Sequence, residues 1–259
     1  MVGLVACYAS TLQGMAAQWW NDEDMGHGFL VPAVALWIVW RERTRWRTLP
    51  LRSSWAGLAV ILFAALAQSA GALGGGLFLK SVAFLLSIAG LILWFGGAEL
   101  LRAWAFPLAL LGFMLPKLAI VYNQVTLPLQ LLATKIAGAM LTLAGYAVIR
   151  EGNILDVRGH QVSVAEACDG IRYLLPLAFL ALVFAYLAGS KAWMRALVMV
   201  CAIPIAIIAN ALRVAISGWS PALAEGTPHQ LAGGAIFLAC LAALVLFHRL
   251  VTSFHAHPA

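Results

Sequence analysis

Residues 53–79, 81–98, 103–116, 118–134, 173–190, 196–212 and 226–248 contain no Lys, Arg, Asp or Glu. Several of these intervals reach the roughly 20 residues that a helix needs to cross a hydrocarbon core about 30 Å thick. Only helices and closed barrels satisfy their backbone polar groups in lipid. A barrel strand alternates apolar and polar residues, whereas VAFLLSIAGLILWF and LPLAFLALVFAYL are apolar on every side. With 63% hydrophobic and 10% charged residues, the chain lacks the polar surface that a soluble globule requires. The sequence therefore predicts an all-α integral membrane protein, with the lipid bilayer as its main contact.

The expected helices lie near 2–18, 27–40, 54–72, 77–97, 103–121, 171–188, 194–216 and 229–248, about eight transmembrane crossings. The stretch 123–147 sets Asn123, Gln124, Gln130, Thr134 and Lys135 among Leu and Ala. It is amphipathic enough to lie at an interface or pack inside the bundle, and is not counted as a crossing. Basic residues cluster at Arg41–Arg47 with Arg52, then at Arg102, at Lys191 with Arg195, and at Arg249. Cytoplasmic loops retain Lys and Arg, so this alternation puts both termini in the cytoplasm. The net charge of +6 reflects that bias, and no basic stretch interleaved with exposed aromatics forms a nucleic-acid groove. The polar segment VIREGNILDVRGHQVSVAEAC, residues 148–168, punctuated by Gly152 and Gly159, reads as a small β-hairpin on the outer face, leading to Cys168. Residues 1–259 are expected to form a single transmembrane domain without an appended soluble domain.

Ionisable residues in or at the end of a span are costly and point to function. From Arg195 to Arg213 is 18 residues, about 27 Å of helix, and from His229 to Arg249 is 20, about 30 Å. From Cys168 to Lys191 is a similar run. A thiol, a guanidinium and an imidazole on three different helices therefore reach one outer membrane boundary. Cys168 stands at an expected helix N-terminus, where the dipole and unpaired amides favour a thiolate. Cys7, Cys201 and Cys240, flanked by apolar residues, read as small buried hydrophobes. Four cysteines without a C-x-x-C spacing give no zinc ribbon or redox pair, and neither a metal nor a cofactor is expected. Asn210, Arg213 and Ser217 share one helix face. Glu166, Asp169 and Arg172 flank the thiol, placed to orient substrate or to pair with one another. His27, in the outer MGHGF segment, rivals His229.

Four stretches, WWNDEDMGHGFLVPAVALWIVWRER, VAEACDGIRYLLPL, IPIAIIANALRVAISGW and TPHQLAGGAIF, resemble in order and spacing the exosortase/archaeosortase family of membrane-embedded cysteine transpeptidases. The resemblance implies Cys168 as nucleophile, Arg213 as essential cation and His229 as third active residue, with Asn210, Arg172, Glu166 and His27 as candidates for orienting substrate. Asp169 departs from the Ser or other small polar residue more usual after the cysteine. The implied substrates are secreted proteins ending in a short motif, one transmembrane helix and a basic cluster, which are passed to an unknown lipid or glycan anchor. The implied location is the bacterial inner membrane, with the active site at its outer face. Two other readings stand beside it. A transporter or flippase for an exopolysaccharide or lipid would use Arg213 on an anionic headgroup and give the thiol no role. A purely hydrolytic intramembrane protease would share the acyl-enzyme and differ only in the acceptor.

Overall fold

The computed structural model describes residues 2–22, 24–164, 173–223 and 226–256. The protein is a helical membrane protein carrying one small sheet. In chain order its helices are α1 (Val2–Cys7), α2 (Ala9–Asn21), α3 (Leu30–Arg41), α4 (Arg43–Arg47), α5 (Trp55–Ala70), α6 (Gly76–Ala103), α7 (Ala105–Leu110) and α8 (Ala119–Leu143). Strands β1 (Val148–Glu151), β2 (Ile154–Val157) and β3 (His160–Ser163) follow, then α9 (Leu174–Leu187), α10 (Ala192–Trp219) and α11 (Gly226–Ala256).

Eight crossings are not supported. Among the described residues four helical stretches are long and apolar enough to span: Trp55–Ala103, which contains the α5–α6 pair expected at 54–72 and 77–97, Gln124–Leu143, Ala192–Trp219 and Gly226–Ser253. Local geometry explains the difference. The expected first span breaks at Tyr8, which leaves the helical region with ψ near 13°. The expected span at 103–121 fails because Pro116 drives the preceding Leu115 into an extended conformation (φ −64°, ψ 140°). The α9 helix, 14 residues within the described chain, is about 21 Å long, shorter than the hydrocarbon core. Conversely, 124–143 qualifies as a span although it was not counted. Three of its polar side chains, Thr126, Gln130 and Thr134, are buried, while Gln124 and Lys135 are exposed, and the Thr126, Thr134 and Thr142 hydroxyls donate to carbonyls four residues back. Hydroxyls satisfied in this way need no water.

The chain forms two compact units, residues 1–119 and 120–259. In the first, α5 and α6 fold back on each other around glycines at 71–76, where Gly74 (φ 151°) and Gly76 (φ 71°) take conformations that L side chains rarely adopt. The hairpin closes to backbone contact: a Cβ at Gly57 would fall on the Trp94 amide and lie 2.7 Å from the Gly90 carbonyl oxygen. Small residues at such crossings let helices approach closely. Tyr8 Oη meets the buried Ser87 Oγ at 2.8 Å, tying the α1–α2 break to α6.

In the second unit the expected hairpin is instead a three-stranded antiparallel meander, β1-β2-β3. Glu151 pairs with Ile154 and Val157 with His160, so both turns have two residues. Arg158 (φ 57°) and Gly159 (φ 81°) are both left-handed, as a type I′ turn demands, and Asp156 Oδ1 accepts from the Gly159 amide at 2.8 Å. Leu155 and Val157 of β2 are buried in one cluster with Ala137 and Leu141 of α8 and Val214 and Ala215 of α10. The sheet thus packs on α10 at the residues immediately after Arg213.

Candidate active site

Arg213 is carried by α10, six residues before that helix ends at Trp219. A short 3-10 turn, Pro221–Leu223, follows it, and Pro228 and His229 sit in the first turn of α11. A proline there costs little, because its missing N–H would have had no partner in the helix. The turn brings Arg213 and His229 together: Arg213 Nη2 lies 2.5 Å from His229 Nε2. A guanidinium can only donate, so Nε2 accepts and the ring proton is on Nδ1. That proton is donated to the Leu223 carbonyl, 3.0 Å away in the short turn between the two helices. The neutral tautomer of His229 is therefore fixed from both sides.

Arg213 Nη1 donates to Tyr173 Oη, and the guanidinium carbon sits 5.3 Å from the Tyr173 ring centroid. Only 3% of Arg213 is exposed, so interfacial snorkelling does not describe it. Its partners in the structure, a phenol and an imidazole, are both neutral, and among the described residues no carboxylate forms an ion pair with it. A buried cation held by neutral groups keeps its full charge for an incoming anion. Among the described residues its Nε has no hydrogen-bond partner. One turn earlier, Asn210 is 1% exposed, and neither its Oδ1 nor its Nδ2 has a partner among the described residues. Leaving such groups unsatisfied costs about 1–3 kcal/mol each, a cost that is recovered when a ligand supplies the missing bonds.

Cys168, Glu166, Asp169 and Arg172 lie outside the described residues, which resume at Tyr173, five positions after the cysteine. His27 belongs to the first unit. It sits in the short 3-10 turn Gly26–Phe29 and its Nε2–H donates to the Phe113 carbonyl at 3.0 Å. Burial lowers its pKa, opposed by hydrogen bonds with the backbone of Phe113 and Asp24. Neighbouring groups hold the same connection. Trp19 Nε1 donates to the Met114 carbonyl at 3.0 Å, and Lys117 Nζ lies 2.9 Å from Asp22 and 2.5 Å from Asp24. His27 is thus one tie in a clasp that fastens the turn after α2 to residues 113–117.

Tyr173 and Gly233 were missed in the sequence. A Cβ on Gly233 would strike Tyr173 Oη and lie 3.2 Å from Arg213 Cζ. One signal was available, the Gly233–Gly234 pair one turn after His229: glycine costs about 1 kcal/mol relative to alanine inside a helix, which calls for a packing reason. Among the described residues no group of three His, Cys, Asp or Glu converges as a metal site.

Residues 19–246 match the family model described as transmembrane exosortase (Exosortase_EpsH). No curated protein and no solved structure matches the chain.

Proposed function

We propose, since this chain belongs to the transmembrane exosortase family of membrane sorting transpeptidases, that it cleaves the C-terminal sorting signal of secreted proteins through a thioester on Cys168. The acyl group then passes to a lipid or glycan acceptor. In this reading the chain sits in the bacterial inner membrane with both termini cytoplasmic and the reaction at the outer face. The observation that carries it is the buried contact between Arg213 and His229, with the guanidinium held, among the described residues, by the neutral Tyr173 and His229 side chains.

The chemistry follows from donor and acceptor count. His229 Nε2 is the basic nitrogen, and at rest it accepts from Arg213. Substrate entry draws Arg213 Nη2 toward the scissile carbonyl and frees Nε2 to take the Cys168 thiol proton. The thiolate attacks the carbonyl carbon, and Arg213 stabilises the tetrahedral oxyanion. Collapse breaks the C–N bond, the leaving amine takes the proton from His229, and the thioester remains. The acceptor's nucleophilic group then gives its proton to Nε2, attacks the thioester and releases the Cys168 thiolate, which is reprotonated by His229. Throughout, the Leu223 carbonyl holds Nδ1–H and fixes the ring orientation.

Asn210 fits a role in holding the peptide. Its amide offers an acceptor oxygen and a donor nitrogen, neither with a partner among the described residues, which suits the N–H and C=O of a peptide bond. Glu166 and Arg172 remain candidates for orienting the substrate by their closeness to Cys168 in sequence. His27 is better explained by its bond to Phe113, as a residue that holds the fold.

The test is chemical capture. Reconstituted enzyme is given a reporter ending in a motif, a transmembrane helix and a basic cluster, quenched with acid and digested. An acyl adduct on the Cys168 peptide, absent from Cys168→Ala, is the expected result. The triple change of Cys7, Cys201 and Cys240 to Ala should still form it. Processing by Cys168→Ala would remove the thiol from the reaction, whereas a wild type that neither cleaves the reporter nor acquires an adduct would favour the transporter or flippase reading.

A further inference from the structure

The phenol of Tyr173 is enclosed by α10 and α11. Arg213 Nη1 donates to its hydroxyl, and the guanidinium also lies over its ring. On α11, Phe237 stands 6.2 Å from the Tyr173 ring at an interplanar angle of 31°. Gly233, one turn before Phe237, is buried. A Cβ there would occupy the position of the Tyr173 hydroxyl and crowd Arg213 Cζ (3.2 Å) and Nη1 (3.4 Å). Gly234 is exposed, and a Cβ on it would meet nothing within 4 Å.

We propose that Tyr173 is the positioning residue that orients the Arg213 guanidinium, and that position 233 is glycine because the phenol head fills the space of a side chain. The inference rests on the reading of Arg213 as the cation at the reacting carbonyl. A guanidinium on a flexible stem must be aimed before it can act as a preorganised donor, and misplacement by about 1 Å forfeits much of the effect. With Nη1 committed to Tyr173 and Nη2 resting on His229, the plane of the fork is fixed by two points. When Nη2 leaves His229 for the oxyanion, the Tyr173 bond is the one that still defines that plane. Tyr173 directly precedes Leu174, the first residue of α9, so the same bond ties the start of α9 to α10.

The experiment compares Tyr173→Phe, Gly233→Ala, Gly234→Ala, the double variant Tyr173→Phe/Gly233→Ala, and Cys168→Ala. All are made as full-length protein in proteoliposomes with the tailed reporter. Tyr173→Phe keeps the ring and deletes one hydrogen bond to a charged group, so kcat should fall roughly tenfold or more while KM holds. Gly233→Ala should fall at least as far, and Gly234→Ala should match the wild type. Removing the hydroxyl relieves the clash, so the double variant should return to the rate of Tyr173→Phe. That rescue is not expected of two independent packing defects.

Full kcat in Tyr173→Phe overturns the proposal, as does a double variant whose loss is the product of the two single losses. Loss of rate in Gly234→Ala equal to that in Gly233→Ala would also overturn it, by assigning the effect to the helix. If Gly233→Ala does not insert, the kcat of Tyr173→Phe decides alone. Cys168→Ala separates the two levels: an active Cys168→Ala brings down the transpeptidase reading and this inference with it. A dead Cys168→Ala beside a fully active Tyr173→Phe brings down this inference only.

Discussion

Replacing Arg213 by lysine keeps the charge and removes the geometry. In the structure the guanidinium spends its two terminal nitrogens on different helices, Nη1 on Tyr173 and Nη2 on His229. The single lysine nitrogen ends near the position of Arg213 Cζ and can keep at most one of these partners. One hydrogen bond to a charged group is therefore lost, worth about 1.5–3 kcal/mol, a factor of roughly 10–150 at 1.36 kcal/mol per decade. If the lost donor is the one that meets the oxyanion, the loss approaches the 10²–10³ typical of an oxyanion-hole donor. Arg213→Lys should therefore insert and fold normally, bind the tailed reporter with little change, and lose roughly 100-fold in single-turnover cleavage. Single-turnover rates at saturating enzyme are the right assay, because they separate the chemical step from product release. A rate within about threefold of wild type, less than a single lost charge-assisted bond would cost, would refute the argument. Arg213 would then be a generic counter-charge.

Two further outcomes follow from the first unit. His27 has its pKa lowered by burial. A histidine depressed in the folded state contributes stability that is fully present above its unfolded value of about 6.5 and is lost as pH falls through the folded value. Thermal melting in detergent should therefore fall with pH below about 6.5 less steeply in His27→Gln than in the wild type, and equal slopes would show that His27 does not supply the acid sensitivity. Gly57→Ala should destabilise the α5–α6 hairpin by about 1–3 kcal/mol, because the new methyl would fall on the Trp94 amide and the Gly90 carbonyl. An unchanged or higher melting temperature would mean that the two helices separate at little cost.

Most of what identifies this protein was legible without coordinates. Charge-free apolar intervals dictated a helical membrane protein, since no soluble core can hide so much apolar surface and lipid tolerates no unpaired backbone. Helix rise counted from the flanking basic residues predicts one level for Cys168, Arg213 and His229; the side chains of the last two meet, and Cys168 lies outside the described residues. Rise per residue is a local constant of the helix, so depth can be read along a single strand of sequence. Azimuth cannot: which residues of neighbouring helices face each other depends on how the helices are rotated and packed. For that reason Tyr173 and Gly233 were invisible as partners of Arg213, and the His229 tautomer could not be assigned before the Leu223 carbonyl was seen beneath it. Span counting failed for a related reason. Hydropathy sums composition over a window, whereas the breaks at Tyr8 and Leu115 are set by single backbone dihedrals. The threonine hydroxyls of α8, bonded to their own helix, make a polar sequence acceptable in an apolar setting. Sequence determined the solvent, the depth and the chemical groups; tertiary packing decided which groups touch, because contact is a property of pairs of elements and no single element carries it.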